Sequence, residues 1–194
     1  MILFHTIYTE MIQSKEDLKF YIKEDAKSNG IKTNPLKYLA HIFVGSEKYH
    51  AFQYLRCLRI CEYHHNNNNK LRYYFYKIRL GRLGIKHHMY IGLNICGYGL
   101  RIYHITGKGG MRIGAKKIGN YCGVNTGVII GTKGSNEARP IVGDKVIFCP
   151  GSVVIGAITI GNNAYIAPNA VVTKDVPENA IVGGIPAKIL KYKE

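Results

Sequence analysis

The chain has 194 residues, 46% of them hydrophobic, and 27 lysines and arginines against 12 acidic residues give a net charge of +15. This length suits one sizeable domain or two small ones, and the composition excludes a disordered chain. Apolar runs stay well short of the ~18 residues that a membrane-spanning helix needs. The first residues have no basic leader and no small-residue cleavage site, so we expect no signal peptide and a cytoplasmic location.

The positive charge is spread over both halves of the chain and forms no basic tail or block. A nucleic-acid-binding arm is therefore not expected. A dispersed positive field instead favours anionic ligands, such as a phosphorylated cofactor or an acidic glycan.

The five cysteines are scattered, and an odd number in a chain of this length does not indicate a disulfide framework. Four potential metal ligands share helix-like spacing: Cys57, Cys61, His64 and His65. A second ligand pair with the spacing of a zinc ribbon is missing. We therefore interpret this segment as the face of a helix and expect no metal.

Residues 1–84 have helix signals. Ser14 is a candidate N-cap for a helix that Gly30 ends. Pro35 is placed to open a second helix that Gly45 ends, and Ser46 caps a third.

The segment at residues 71–83 is rich in tyrosine and arginine, which also occur on RNA-binding surfaces. Such side chains more often bury their rings or stems and extend their polar tips into water. We therefore expect a further helix that packs against the following domain.

After residue 84 the pattern changes to a repeat of six. Written in sixes from residue 142, the first column is apolar throughout: Val142, Phe148, Val154, Ile160, Ile166 and Val172. The fifth column holds small or branched side chains: Val146, Ser152, Ile158, Ala164, Ala170 and Val176. Neither a strand, with period 2, nor a helix, with period 3.6, produces such columns.

The same phase extends toward the N-terminus through Ile130, Val124 and Ile118, across an inserted loop at residues 131–140. Leu100 is also in phase. Counted from Leu100, His104 falls at the fifth place, which by phase alone is an inward position.

A six-residue repeat indicates a parallel β-helix. Each hexad forms one short strand and one turn, and three hexads close a triangular coil. The first-column side chains stack on their equivalents in adjacent coils, while Gly and Asn allow the tight turns between strands.

Three stretches resemble the hexapeptide-repeat acyltransferases, and among them the serine O-acetyltransferases. They are "LRIYHITG" at residues 100–107, the hexads above, and the ending "VVTKDVPENAIVGGIPAKIL" at residues 171–190. The resemblance covers roughly residues 85–190. It implies a mainly β fold with a left-handed parallel β-helix at residues 85–177. A small α-helical N-terminal domain at residues 1–84 precedes the β-helix, and a tail at residues 178–194 follows it and closes on coenzyme A. It also implies a homotrimer or a dimer of trimers, with active sites between neighbouring helices.

The resemblance further implies acetyl transfer from acetyl-CoA to a hydroxyl, with His104 as the general base and no metal. Histidine titrates near neutral pH and can accept the hydroxyl proton. For the cofactor the resemblance points to Thr173, Lys174 and Lys188, whose ammonium groups can pair with its phosphates.

Two positions depart from the pattern of the serine enzymes. Tyr103 stands where an aspartate precedes the catalytic histidine, and Arg139 stands where the inserted loop has a histidine. Both are candidate contacts to the acceptor, and the alternative for Tyr103 is that it only fills the space of the aspartate. The departures leave L-serine and a sugar hydroxyl of a surface-polysaccharide precursor as alternative acceptors. An amino-sugar N-acetyltransferase and a non-catalytic trimeric scaffold or binding module are further alternatives.

Overall fold

The computed structural model describes residues 11–31, 46–105, 109–132, 134 and 138–194. The predicted helix between Pro35 and Gly45 lies outside the described residues. Within these ranges three helices precede the strands: α1 at Lys15–Ser28, α2 at Glu47–Asn66 and α3 at Lys70–His87. The predicted N-caps are confirmed, since the hydroxyls of Ser14 and Ser46 accept hydrogen bonds from the amides of Asp17 and Tyr49.

Fourteen short strands follow in the described residues. They are β1 Met89–Ile91, β2 Arg101–Ile102, β3 Met111–Ile113, β4 Lys117–Ile118, β5 Gly123–Val124, β6 Ile129–Gly131, β7 Ile141–Val142, β8 Ile147–Phe148, β9 Val153–Ile155, β10 Thr159–Ile160, β11 Tyr165–Ile166, β12 Val171–Val172, β13 Ala180–Gly183 and β14 Lys188–Tyr192.

The strands form the three faces of a parallel β-helix, in the orders β1-β3-β6-β9-β12, β4-β7-β10 and β2-β5-β8-β11-β13-β14. Every pairing is parallel except the last, where β14 returns antiparallel to β13. The mainly β fold preceded by a small helical part is thus confirmed.

The predicted first column forms the core. On each face its residues are direct partners in register: Val142 with Ile160, Phe148 with Ile166, and Val154 with Val172. These six side chains are at most 2% exposed. Since burying one such side chain contributes about 1.5–3 kcal/mol, the stacked columns stabilise the coils.

The inserted loop leaves the stacking intact. Gly131 ends β6 in register with Ile155, and Ile141 opens β7 in register with Lys117. The chain therefore leaves one coil at a corner and re-enters the stack with its inward side chains in place.

The first coil does not follow the six-residue count that holds from Ile118 onward. Cys96 pairs with Ile118 and Ile102 with Val124, which is 22 residues in each case and four more than three hexads. The extra residues belong to the glycine-rich segment before β3. The prediction that Leu100 lies in the first column is therefore wrong: Ile102 takes that place, and Leu100, also buried, lies level with Cys122 in the fifth column.

The helices cap this first coil through buried polar groups. The guanidinium of Arg59, fully buried in α2, donates to Asp25 at 2.8 Å and to the carbonyls of Cys96 and Gly97 at 2.8 and 2.6 Å. Its second ion-pair partner is Glu62, at 3.1 Å. Solenoids need such caps because the terminal coil has backbone groups with no further coil to pair with.

Candidate active site

The side chain of His104 lies outside the prism. Because Ile102 rather than Leu100 occupies the inward position, His104 falls third in its hexad and points outward. Its side chain is 61% exposed. The inward position suggested by phase alone is therefore wrong, and the exposure leaves the imidazole accessible to a small molecule.

A side chain of α1, Asp25, and that of its C-cap residue, Asn29, fix the backbone segment that leads to His104. Asp25 accepts a hydrogen bond from the amide of Leu100 at 3.0 Å. Asn29 donates to the carbonyl of Leu100 at 2.8 Å and accepts from the amide of Ile102 at 3.0 Å. Asp25 and Asn29 are both buried, so this edge of the coil is held by the helices much as another strand would hold it.

A carboxylate from the helical region contacts His104 itself. Glu47, in the first turn of α2, places Oε2 3.4 Å from Nδ1 of His104. Its Oε1 accepts a hydrogen bond from the amide of Ile105 at 2.5 Å. The carboxylate thus spans the backbone and the imidazole of one short segment.

This contact selects a tautomer. A carboxylate only accepts hydrogen bonds, so it favours the proton of neutral imidazole on Nδ1 and leaves the lone pair on Nε2. A histidine held in this way has the arrangement of a general base whose orientation is set by a third group. The separation of 3.4 Å is long for a hydrogen bond, so the contact is mainly electrostatic.

Tyr103 lines a separate small cavity of about 300 Å³. Its ring stacks under the guanidinium of Arg101, with 4.4 Å from Cζ to the ring centroid. Lys145 and Tyr121 line the same cavity. The two cationic side chains suit an anionic group of a ligand.

Arg139 lines a different and larger cavity, of about 830 Å³, on the face formed by β1, β3, β6 and β9. Arg112 and Lys116 lie along the same wall. Three cationic side chains around one cavity of this size fit a ligand with several phosphates. The sequence did not predict Arg112 and Lys116 as site residues, because each falls at an outward place of an irregular coil.

The remaining predicted residues lie at the C-terminal end of the prism. Thr173 and Lys174 follow β12, which is the edge strand of the face that carries Arg139's cavity, and Lys188 opens β14. All three are exposed and line neither of the two cavities. The structure therefore does not bring them together with His104 within one chain.

The other candidate ligands have structural surroundings. Cys57, Cys61 and His64 are buried within the helices, whereas His65 is exposed. Across the described ranges, no group of three or more His, Cys, Asp or Glu side chains is placed to hold a metal ion. In the same ranges no helix is long and apolar enough to cross a membrane.

Cysteine reactivity is suppressed where the structure buries the thiols. Burial raises the pKa of Cys122 to about 12, and it also raises that of Cys61 to about 12. Since the thiolate is the nucleophile, neither thiol suits an acyl-enzyme step near neutral pH.

Comparison with known proteins agrees with this architecture. The family model described as bacterial transferase hexapeptide (six repeats) matches residues 139–174. The chain is similar to the serine acetyltransferase of Mycobacterium tuberculosis, with 38% identity over 76 residues, which are 38% of this chain and 33% of that protein. It spans about a third of the length of the curated relatives that it matches.

Solved structures of serine acetyltransferases share the fold over most of the chain. The protein of Neisseria gonorrhoeae in complex with serine superposes with a TM-score of 0.68 and 23% identity, covering 92% of this chain and 71% of that one. The protein of Brucella abortus in complex with coenzyme A superposes with a TM-score of 0.69 and 19% identity, covering 95% of this chain and 72% of that one. The predicted resemblance to the hexapeptide-repeat acyltransferases of the serine acetyltransferase type is confirmed.

Proposed function

We propose that this protein is an acetyl-CoA-dependent O-acetyltransferase in which Nε2 of His104 is the general base and Glu47 positions the imidazole. The observation that carries the proposal is the outward-facing His104 with a carboxylate on its Nδ1 side. The similarity to serine acetyltransferases, one of them solved with coenzyme A, supports the choice of donor.

The reaction proceeds by direct transfer. The acceptor hydroxyl gives its proton to Nε2 of His104 as its oxygen bonds to the thioester carbonyl carbon. The C–S bond then breaks, and the departing thiolate takes the proton from Nε2, so that free coenzyme A and the acetyl ester are formed and His104 returns to its starting state. Glu47 stabilises the imidazolium that exists between the two proton transfers.

The cofactor's phosphates are assigned to cationic side chains. Arg112, Lys116 and Arg139 would hold them in the larger cavity, with Lys174 and Lys188 further along the prism. Bound acetyl-CoA supplies the activated thioester. In the trimer that we propose, the tail residues Thr173, Lys174 and Lys188 of one protomer would reach the site of its neighbour.

For the acceptor we propose a sugar hydroxyl of an acidic polysaccharide precursor rather than L-serine. The ammonium group of serine calls for a carboxylate, but Glu47 is already engaged with His104 and the amide of Ile105. Tyr103 replaces the aspartate of the serine enzymes and lies instead beside Arg101 and Lys145, which favour a negative charge.

The test is thiol release from acetyl-CoA with serine, neutral sugars, acidic sugars and amino sugars as acceptors. We expect turnover with an acidic sugar and little with serine. Turnover with serine alone would overturn the acceptor assignment, turnover with amino sugars alone would make the protein an N-acetyltransferase, and no turnover with any acceptor would favour a scaffold.

Replacement of the base gives the largest expected effect on activity. His104→Ala should reduce kcat by about 10²–10⁴-fold, because a general base contributes that much. The matched control is His65→Ala, an exposed histidine on α2. Near-normal turnover of His104→Ala, with circular dichroism showing an intact fold, would remove His104 from the mechanism.

The positioning role of Glu47 has its own test. Glu47→Gln keeps an acceptor oxygen for the amide of Ile105 but loses the charge, so kcat should fall about tenfold to a hundredfold with KM little changed. Glu47→Asp should restore part of the loss, and Glu16→Gln, an exposed change on α1, should have no effect. A rise in KM at constant kcat would instead make Glu47 a binding residue.

A further inference from the structure

Helix α3 has apolar side chains on two opposite faces. One face packs on the protein through Tyr73, Tyr76, Leu80 and Leu83. Five large apolar side chains point the other way, with exposures of 85%, 58%, 63%, 60% and 79%: Leu71, Tyr74, Phe75, Ile78 and Ile85. We call these five residues the outer stripe.

The outer stripe runs along one side of the helix: Leu71, Tyr74, Phe75 and Ile78 are neighbours on it, and Ile85 follows about two turns later, beyond Arg82. At 3.6 residues per turn its five members fall within an arc of about 100°, and the centre of that arc lies opposite the packed face. The sequence-based interpretation of this helix as packing against the next domain is therefore right for one face only. Scattered exposed apolar residues are ordinary, but a contiguous stripe marks an interaction surface.

Cations border the outer stripe on both sides. The helix contains six lysines and arginines and no acidic residue. On the helical projection Lys70 and Lys77 fall on one border, Arg72, Arg79 and Lys86 on the other, and Arg82 within the stripe. Their apolar stems can extend over the stripe while the charged ends reach outward.

We infer that α3 docks on the surface of an anionic lipid bilayer, with the outer stripe among the lipid chains and its flanking cations on the headgroups. An apolar face between basic borders is the pattern of a helix that lies in the plane of a membrane. The amphipathic ring of Tyr74 suits the interfacial region, and the ring of Phe75 suits the apolar face of such a helix.

A second copy of the chain suits this surface less well. Two such helices in contact would bring both sets of six cations together, and a whole copy offers only 12 acidic residues against 27 basic ones. A nucleic acid would match the cations but not the aliphatic side chains of Leu71, Ile78 and Ile85, which cannot stack on bases.

Helices α2 and α3 form a helical hairpin, which places one end of the outer stripe near His104. Residues near the start of α2 meet the end of α3, as the rings of His50 and His87 show with centroids 5.0 Å apart. Glu47 lies one turn before His50. The end of α3 that carries Ile85 therefore lies at the same end of the hairpin as the His104 site, which suits an acceptor that is itself attached to a membrane lipid.

The test is co-sedimentation of the full chain with vesicles, which needs no acyl transfer. We expect binding to vesicles of phosphatidylcholine mixed with phosphatidylglycerol, weaker binding at high salt, and little binding to phosphatidylcholine alone. The double variants Leu71→Gln/Ile78→Gln and Arg72→Gln/Arg79→Gln should each weaken binding roughly tenfold or more.

Matched controls remove the same groups elsewhere. Ile185→Gln/Leu190→Gln changes two exposed apolar residues, and Lys15→Gln/Lys19→Gln removes two exposed cations from α1. Both controls should bind vesicles as the unchanged protein does, and circular dichroism should show intact helices in all four variants.

Three results would overturn the inference. One is no sedimentation with the anionic vesicles at low salt. Another is equal loss of binding in the α3 variants and their controls, which would indicate attraction by net charge alone. The third is a fall in oligomeric state caused by Leu71→Gln/Ile78→Gln without any vesicle binding, which would assign the stripe to a second copy.

Discussion

The later coils of the β-helix and its first coil, at residues 89–105, are held by different forces. In the later coils one apolar residue per hexad stacks on its equivalents, and the same contact recurs on every face. In the first coil the outer backbone edge is instead fixed by Arg59, Asp25 and Asn29 from the helices. The regular part supplies rigidity, whereas the irregular, polar part supports the segment that bears His104.

The largest change in stability should come from the cap. Arg59→Ala leaves the carboxylates of Asp25 and Glu62 buried without their cation, which should destabilise the protein by about 3–5 kcal/mol. Thermal or urea unfolding measures the loss, and hydrogen exchange should show reduced protection of the Leu100 and Ile102 amides. Arg56→Ala, an exposed change on the same helix, is the control. Equal stability of the two variants would show that the cap is dispensable.

A cavity in the regular coils should reduce the free energy of unfolding somewhat less than the loss of Arg59 does. Ile166→Ala removes a fully buried member of the first column, and such truncations cost about 2–5 kcal/mol. Ile141→Ala, at an outward and partly exposed position of β7, should cost under about 1 kcal/mol. A similar loss in both variants would contradict the stacked-column description.

The smallest expected effect is a pH dependence of the described helices, which belong to residues 1–88, where seven of the eight histidines occur. Burial, and then the nearby charge of His50, lowers the pKa of His87 from 6.5. The unfolded chain then binds a proton more readily than the folded one, so stability should fall as pH drops below 6.5. The helical circular dichroism signal should melt earlier at about pH 5.5 than at about pH 7.5.

Glu62 has the opposite effect on stability as pH falls, because burial raises the pKa of its carboxyl and favours protonation in the folded state. The test therefore compares how much stability the unchanged protein and His87→Gln each lose on acidification. The variant should lose less stability on acidification. If both lose the same amount, His87 is not the titrating group.

How far the sequence predicts this molecule also differs between the two regions. The column from Ile118 to Val172 was predictable because one register repeats without change, even across the inserted loop. The place of Leu100 was not, because four extra residues before β3 shift the count and nothing in the hexads themselves reveals the shift. The same shift turned His104 from an apparent inward position to the surface.

The contact between Glu47 and His104 joins residues 57 positions apart and has no periodic signal. In sequence Glu47 is only an acidic residue in the first turn of a helix, a place that such residues commonly occupy. Likewise, the helical period of α3 predicts two faces but cannot tell which one the protein covers. The structure shows that Tyr76 and Leu80 pack on the protein and that the outer stripe is exposed.

The inserted loop has a consequence for how this architecture diversifies. Since β6 and β7 meet their neighbours in register on either side of it, the excursion can be lengthened, shortened or exchanged without disturbing a single stacked side chain. Arg139 lies at the rejoining end of that excursion, on the wall of the larger cavity. New ligand preferences can therefore arise by swapping one surface segment, while the prism beneath it is inherited unchanged.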